Sequence, residues 1–149
     1  MKTQRGFSLI ELLVVVVIIG VIAAVAVPGL QRARRYAQSG SAIQSLRTIT
    51  TAENLYERRH RTYATLADLL AEEFVDTNIG FGFKSGYQLS LSLVLDANDT
   101  AIGKLLTFKC TADPDQDSAI GRYFYVDETA VIRQNEGARA SVASDPIPK

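Results

Sequence analysis

The stretch RGFSLIELLVVVVIIGVIAAVAVP, Arg5 to Pro28, decides how the rest of the chain is organised. The only polar side chains from residue 7 to residue 30 are Ser8 and Glu11. As an α-helix this run is about 36 Å long at ~1.5 Å per residue, and the hydrocarbon core of a bilayer is about 30 Å thick. We therefore expect a membrane helix or a targeting signal here.

Composition limits what can follow this run. The chain has 149 residues, is 47% hydrophobic and carries a formal net charge of zero. The part after Leu30 is long enough for one small soluble unit with a modest core, so a large enzyme is not expected. The balanced charge gives no indication of a nucleic-acid partner.

Glu11 is the anomaly within the apolar run. A carboxylate at the centre of a membrane helix costs roughly 2.5 to 3.5 kcal/mol, and less near an end. Three interpretations of the N-terminus compete: a secretory signal cut after the small residues Ala24 to Ala26, an uncleaved anchor, and a chain cut after Gly6. The first two leave the carboxylate unexplained.

Cleavage after Gly6 would supply a partner for Glu11. Phe7 would become the N-terminus, and its amino group would lie about one helical turn from the carboxylate. Within one chain that geometry is awkward, whereas the amine of one copy could pair with Glu11 of a neighbour displaced along the helix axis. A pair of opposite charges compensates much of the cost of removing both from water. Glu11 would then set the register of helices packed side by side.

The helical pattern continues beyond the apolar run. Pro28 predicts a kink rather than an end, because apolar and small residues recur at spacings of three and four up to Tyr56. The members of this stripe are Ala33, Tyr36, Ala37, Gly40, Ile43, Leu46, Ile49, Ala52 and Tyr56. We predict one helix over residues 7–58, apolar all round at first and apolar on one stripe later.

A small sheet is predicted after this helix. Thr65 and Asp68 resemble a capping box that begins a short helix through about Phe74, and the glycines of NIGFGFKSG predict a loop. Leucines alternate with polar residues in GYQLSLSLVL, LTFKCTA repeats the alternation, and RYFYV and AVIR indicate a terminal strand pair. The predicted fold is therefore α+β, an antiparallel sheet packed on the second half of the helix. The segment after Arg133 is expected to be loose.

Two single residues carry little functional weight. Cys110 is the one cysteine, which rules out an intramolecular disulfide, and a buried thiol is the simplest interpretation. His60 is the one histidine and lies in the charged run ERRHRT, where a solvent-facing role is expected rather than metal binding or catalysis.

The N-terminal stretch resembles that of type IV pilins and type II secretion pseudopilins. The resemblance rests on Gly6, Phe7, Glu11, Gly20 and Pro28. It implies a pilin-like fold, in which the long helix carries a small head. It also implies that a membrane prepilin peptidase cuts after Gly6 and methylates the amine of Phe7, and that Glu11 is the assembly carboxylate. Gly20 and Pro28 correspond to positions where such helices loosen or bend.

The resemblance also implies partners and a location. Subunits of this family wait in the bacterial inner membrane among lipid, as single-pass proteins with the N-terminus in the cytoplasm and the head outside. An assembly platform then extrudes them into a polymer of identical or related subunits, either a periplasmic pseudopilus or a surface pilus. Charge alone does not orient this chain, because Lys2 and Arg5 on one side of the run oppose Arg32, Arg34 and Arg35 on the other.

These inferences divide the chain into a cleaved basic leader (1–6), the long helix (7–58, with 7–30 as the membrane and assembly segment) and a head (59–149). The expected function is that of a structural pilus or pseudopilus subunit without catalytic activity. The alternative is a secreted or anchored binding module whose apolar segment serves only export.

The turn DPDQD adds a metal hypothesis. Asp113, Asp115 and Asp117 match the first three acidic positions of a calcium loop, and the resemblance supports calcium because major pseudopilins carry a C-terminal calcium site. The sixth and twelfth positions are Ser118 and Phe124, where such a loop requires glycine and glutamate. A solvated acidic turn without a cofactor is the simpler expectation.

Overall fold

The structure is a computed structural model that describes residues 7–95, 105–115 and 121–148. The chain divides into two units, Met1–Ala37 and Gln38–Lys149. Helix α1, Leu9–His60, contributes to both units. The second unit also contains α2 (Leu66–Ala71), α3 (Thr77–Gly80), β1 (Phe83–Lys84), β2 (Tyr87–Leu95), β3 (Leu105–Pro114), β4 (Arg122–Asp127), β5 (Arg133–Glu136) and β6 (Asp145–Pro146).

In the first unit, the described residues form an exposed apolar helix. Every residue from 7 to 37 is exposed, including the valines and isoleucines of the apolar run. The helix continues past Pro28, as predicted. By length and composition α1 could cross a membrane, a property that it shares with secretory signal sequences. Within the described part of this unit, residues 7–37, nothing therefore buries the apolar side chains.

In the second unit, α1 supplies one side of the core. Its buried apolar residues are Ala42, Leu46, Ile49 and Ala52, each at most 2% exposed. These positions are three or four residues apart, which places them on one face of the helix. Gly40, which the predicted stripe included, is exposed. The predicted stripe is therefore confirmed from Leu46 onward. Before Leu46, the buried face of the helix is displaced from the predicted stripe by one residue along the sequence.

The sheet packs against this face of α1 and confirms the predicted α+β class. Its six strands within the described residues follow chain order, from β1 to β6, and every neighbouring pair is antiparallel. On β2, Leu89 is buried while Gln88 and Ser90 are exposed. On β3, Phe108 and Cys110 are buried while Lys109 is exposed. Alternation along both strands thus directs one face of the sheet to the core, as predicted.

Between α1 and the sheet, the structure confirms the predicted start of α2 and differs from the prediction after it. The capping box is confirmed, since the Thr65 hydroxyl accepts from the amide of Asp68 and the Asp68 carboxylate accepts from the amide of Thr65. However, α2 ends at Ala71 rather than near Phe74, and Glu73 adopts a left-handed backbone (φ 59°). The predicted loop NIGFGFKSG contains most of α3 and all of β1. An N-cap at Asp76, which accepts from the amide of Ile79, begins that extra helix.

The C-terminal segment is more ordered than the sequence predicts. The strand expected at AVIR begins instead at Arg133, and β5 runs through the polar residues to Glu136. β6 pairs with β5, and Ala140 packs with Tyr123 and Tyr125 on the side of β4 opposite the main core. The expectation of a loose tail is therefore wrong for these residues. Pairing with β4 and burial of two tyrosine rings provide the stabilisation that the polar sequence does not indicate.

Candidate assembly site in the N-terminal helix

The first turn of α1 positions Glu11. Ser8 precedes the helix, and its carbonyl oxygen accepts from the amides of Glu11 (3.1 Å) and Leu12 (3.2 Å). An acidic side chain in the first turn also interacts favourably with the positive end of the helix dipole. The local sequence therefore fixes the carboxylate at the beginning of the apolar helix.

The neighbours of Glu11 on the helix are apolar and exposed. Phe7 lies four residues before it and is 71% exposed, and Ile10 and Leu12 are 70% and 55% exposed. No described residue forms an ion pair with the Glu11 carboxylate. In a bilayer or between packed helices, this charge would be taken out of water without a partner from the described part of its own chain.

Cations of the same helix lie too far away to pair with Glu11. Arg32 is the first one after the apolar run. A helical rise of ~1.5 Å per residue separates the two positions by about 31 Å, several times the reach of both side chains. A partner for Glu11 must therefore come from the N-terminal segment or from another molecule.

The structure describes two of the three other predicted positions within residues 6–20, Phe7 and Gly20. Gly6 lies outside the described residues, and Phe7 immediately precedes the helix. Gly20 lies within α1, and a Cβ atom added there would meet nothing within 4 Å beyond the adjacent residues and the backbone of its own helix. Since space within the chain does not require glycine at position 20, its proposed loosening role stays a prediction. The structure does not test the cleavage or methylation roles either.

The structure describes two of the three carboxylates predicted to form the calcium site, Asp113 and Asp115, and only the first of them is buried. Asp113 lies near the end of β3, and its Oδ2 atom is 2.9 Å from Nε of Arg139. Burial raises the pKa of Asp113, and the nearby Arg139 opposes that rise. The other carboxylate oxygen, Oδ1, is buried and has no hydrogen-bond partner among the described residues. Asp115 is exposed, and Asp117 lies outside the described residues.

The donor set of the turn fits a calcium ion incompletely. The unpartnered Oδ1 atom of Asp113 could serve as a ligand, whereas the Arg139 guanidinium already neutralises this carboxylate. Within residues 7–95, 105–115 and 121–148, no three acidic, histidine or cysteine side chains form a metal-binding group. Calcium binding stays a prediction.

Cys110 and His60 have structural contacts. The Cys110 thiol is fully buried, as expected, and this burial raises its pKa. His60 stacks on Tyr56 with ring centroids 4.2 Å apart, and its Nε2 atom is 2.8 Å from a carboxylate oxygen of Glu72. The histidine thus joins the end of α1 to the residue that follows α2, a contact that the sequence does not predict.

Glu53 is a titratable residue whose burial was not predicted from the sequence. It is fully buried on the core-facing side of α1, and its Oε2 atom accepts a 3.0 Å hydrogen bond from the amide of Ala64. The signal was present in the spacing, since Glu53 follows Leu46 by seven residues and Ile49 by four.

Comparison with known proteins agrees with the N-terminal geometry. Residues 1–27 match the family described as the prokaryotic N-terminal methylation motif. The chain is also similar to two proteins named type II secretion system core protein G. That of Klebsiella pneumoniae is 35% identical over 65 residues, and that of Escherichia coli (strain K12) is 37% identical over 62 residues.

The matched regions are partial. They cover 44% and 42% of this chain and 46% and 43% of the two relatives, so the chain spans less than half the length of each relative. The N-terminal motif and the similarity to a secretion-system core protein together confirm the resemblance to type IV pilins and type II secretion pseudopilins.

Proposed function

We propose that the chain is a structural, non-catalytic subunit of a type II secretion pseudopilus or a related type IV pilus. The observation that carries the proposal is Glu11, a single carboxylate at the beginning of the apolar part of α1, residues 9–30, whose side chains are all exposed. A helix of this kind needs either lipid or other helices to cover it, and the carboxylate needs a cation. Polymerisation through α1 supplies both.

Assembly would begin with cleavage after Gly6. The new amino group of Phe7 remains protonatable after methylation and pairs with Glu11 of an adjacent copy. This pair forms where water is excluded, so it fixes how far one helix is displaced along the next. The methylation motif over residues 1–27 supports the processing step.

Before assembly, the subunit would be anchored in the bacterial inner membrane by the apolar part of α1. We place its N-terminus in the cytoplasm and the second unit outside. The partners are the prepilin peptidase, the assembly platform and further pilin-like subunits. Similarity to the core protein G of two bacteria favours the periplasmic pseudopilus over a surface pilus.

Replacing Gly6 by leucine tests the processing step. The peptidase must approach the peptide bond after residue 6 closely, so we expect the bulky variant to keep residues 1–6 and to accumulate in the membrane. The intact mass of the purified full chain, with and without the peptidase, measures this. Gly20→Leu, a second glycine replacement in the same segment, is the control and should be processed normally. Normal cleavage of the Gly6 variant would contradict the assignment.

Calcium binding by the acidic turn is a subsidiary proposal. Asp113 and Asp115, with Asp117, would supply carboxylate oxygens, which calcium prefers. Calorimetric titration of the full chain with calcium should give heat and a raised melting temperature, and both should be lost in Asp115→Asn. Absence of heat and of a shift in the unmodified chain would remove the proposal and leave a solvated turn.

The alternative function is a binding module that uses the apolar segment only for export. It predicts cleavage after Ala26 and loss of residues 7–26 of the assembly segment, which include Glu11. The similarity to prepilin-type N-termini supports the filament instead.

A further inference from the structure

A buried acid joins α1 to the segment that follows it. The α1–α2 connection, residues 61–65, begins with Arg61 in a left-handed backbone (φ 61°) and ends at the N-cap Thr65. Within it, Ala64 is 2% exposed, and the ring of Tyr63 lies 5.2 Å from that of Phe108. The connection thus covers part of the core. Among the described residues, the hydrogen bond from the Ala64 amide to Oε2 ties this connection to Glu53.

The Glu53 carboxyl group is poorly satisfied as an anion. The side chain is fully buried, and its second oxygen, Oε1, has no hydrogen-bond partner among the described residues. A buried carboxylate ordinarily requires a cation or several donors, because its transfer from water is costly. One backbone amide does not meet that requirement, so the neutral acid is the form that fits this site.

Among the described residues, the titratable groups whose charges interact with Glu53 include no cation. They are Tyr56 on α1, Tyr63 on the connection, Asp68 on α2 and Cys110 on β3. Arg59 and His60, at the end of α1, both pair with Glu72. Neutralisation of Glu53 by protonation is therefore the available solution within this environment.

We propose that Glu53 is a proton-operated latch: the neutral acid holds the α1–α2 connection closed over the core, and loss of the proton releases the connection to water. Glu53 is fully buried and the Ala64 amide of this connection contacts its carboxyl group, so movement of residues 61–65 is the route by which the ionised carboxylate regains hydration. Release of this short segment exposes less apolar surface than unfolding of the whole unit. The proposal does not depend on filament assembly.

The direction of the pH dependence follows from the burial. Burial raises the pKa of Glu53 from 4.5 to about 7, the Ala64 hydrogen bond opposes the rise, and the negative Asp68 adds to it. Below pH 4.5 the group is protonated in both the folded and the unfolded chain. Between pH 4.5 and about 7 the unfolded chain loses the proton first, so stability contributed by the neutral acid is lost as the pH rises through this window.

The test compares the full chain in detergent micelles with Glu53→Gln, an uncharged side chain of the same shape that can still accept from Ala64. In the unmodified chain, we expect the amide protection factor of Ala64 to fall by about tenfold or more between pH 6 and pH 8, while amides of β3 and β4 keep theirs. The urea midpoint should fall by about 1 M between pH 5 and pH 8. Glu53→Gln should abolish most of both changes.

Glu57→Gln, one turn later on α1 and half-buried, is the matched control and should behave like the unmodified chain. A Glu53→Gln variant that keeps the full pH response would overturn the latch. Carbon-13 NMR titration of the Glu53 carboxyl in the unmodified chain decides the matter without any variant. A titration midpoint of the Glu53 carboxyl near pH 7 supports the proposal, and a midpoint near pH 4.5 contradicts it.

Discussion

Replacing Glu11 by alanine is expected to leave membrane insertion intact and to reduce incorporation into filaments by about a hundredfold. The first unit explains the insertion result, because the described apolar run loses only its single charge and becomes more apolar. The assembly result follows from the proposed pairing with the amine of an adjacent copy. Removing one partner of a buried ion pair costs about 3 kcal/mol or more, and ~1.4 kcal/mol corresponds to a factor of ten.

Two further variants separate charge from shape. Glu11→Gln retains the size and polarity of the side chain, so a loss of assembly equal to that of the alanine variant would assign the effect to charge. Glu128→Ala removes an exposed acid from the turn after β4 and should assemble normally. Filament yield, measured by shearing and electron microscopy, and membrane fractionation are the two readouts. Wild-type filament yield in Glu11→Ala would refute the registration role.

Replacing Phe108 by alanine is expected to lower the free energy of unfolding of the second unit by about 3 to 5 kcal/mol. Phe108 is fully buried at the centre of β3, and its ring packs against Tyr63. Truncation would remove apolar contacts and leave a cavity between the sheet and the α1–α2 connection. A loss of this size is a large fraction of the stability of a small unit.

Phe81 provides a control of the same residue type. Its side chain is 79% exposed just after α3, so Phe81→Ala should change the free energy of unfolding by no more than ~0.5 kcal/mol. Urea unfolding of the full chain in micelles, followed by circular dichroism because the chain has no tryptophan, measures both variants. Equal losses in the two variants would contradict the assignment of the core to this face of β3.

The parts of the fold that follow hydrophobic periodicity could be predicted from the sequence. Leucines at every second position of β2 and apolar residues at helical spacing on α1 bury one face each, and the structure confirms both. Periodicity failed for β5, whose residues Arg133–Glu136 are all polar. That strand forms because β4 offers an edge to pair with, which is a tertiary effect that local sequence does not encode.

The candidate assembly site could be predicted from the cost of burying a charge rather than from periodicity. A carboxylate in an otherwise apolar run is conspicuous by its cost, so Glu11 could be identified without a structure. Its partner was inferred from the sequence as the Phe7 amine of an adjacent copy, and that pairing stays a prediction; no cation of the described helix is within reach of Glu11. Glu53 was missed because an acid in the second half of α1 resembles a solvated one. Its spacing from Leu46 and Ile49 places it on the buried face, and the hydrogen bond from Ala64 shows which donor it has there.

The mass of the mature N-terminus, determined on the chain purified from membranes of cells that contain the peptidase, tests the central claim most directly. A subunit that polymerises through Glu11 must keep residues 7–30 and expose the amine of residue 7. We expect a chain that begins at N-methylated Phe7. A mature chain that begins at Val27 would lack Glu11 and the apolar residues between Glu11 and Val27. That result would contradict the proposed filament.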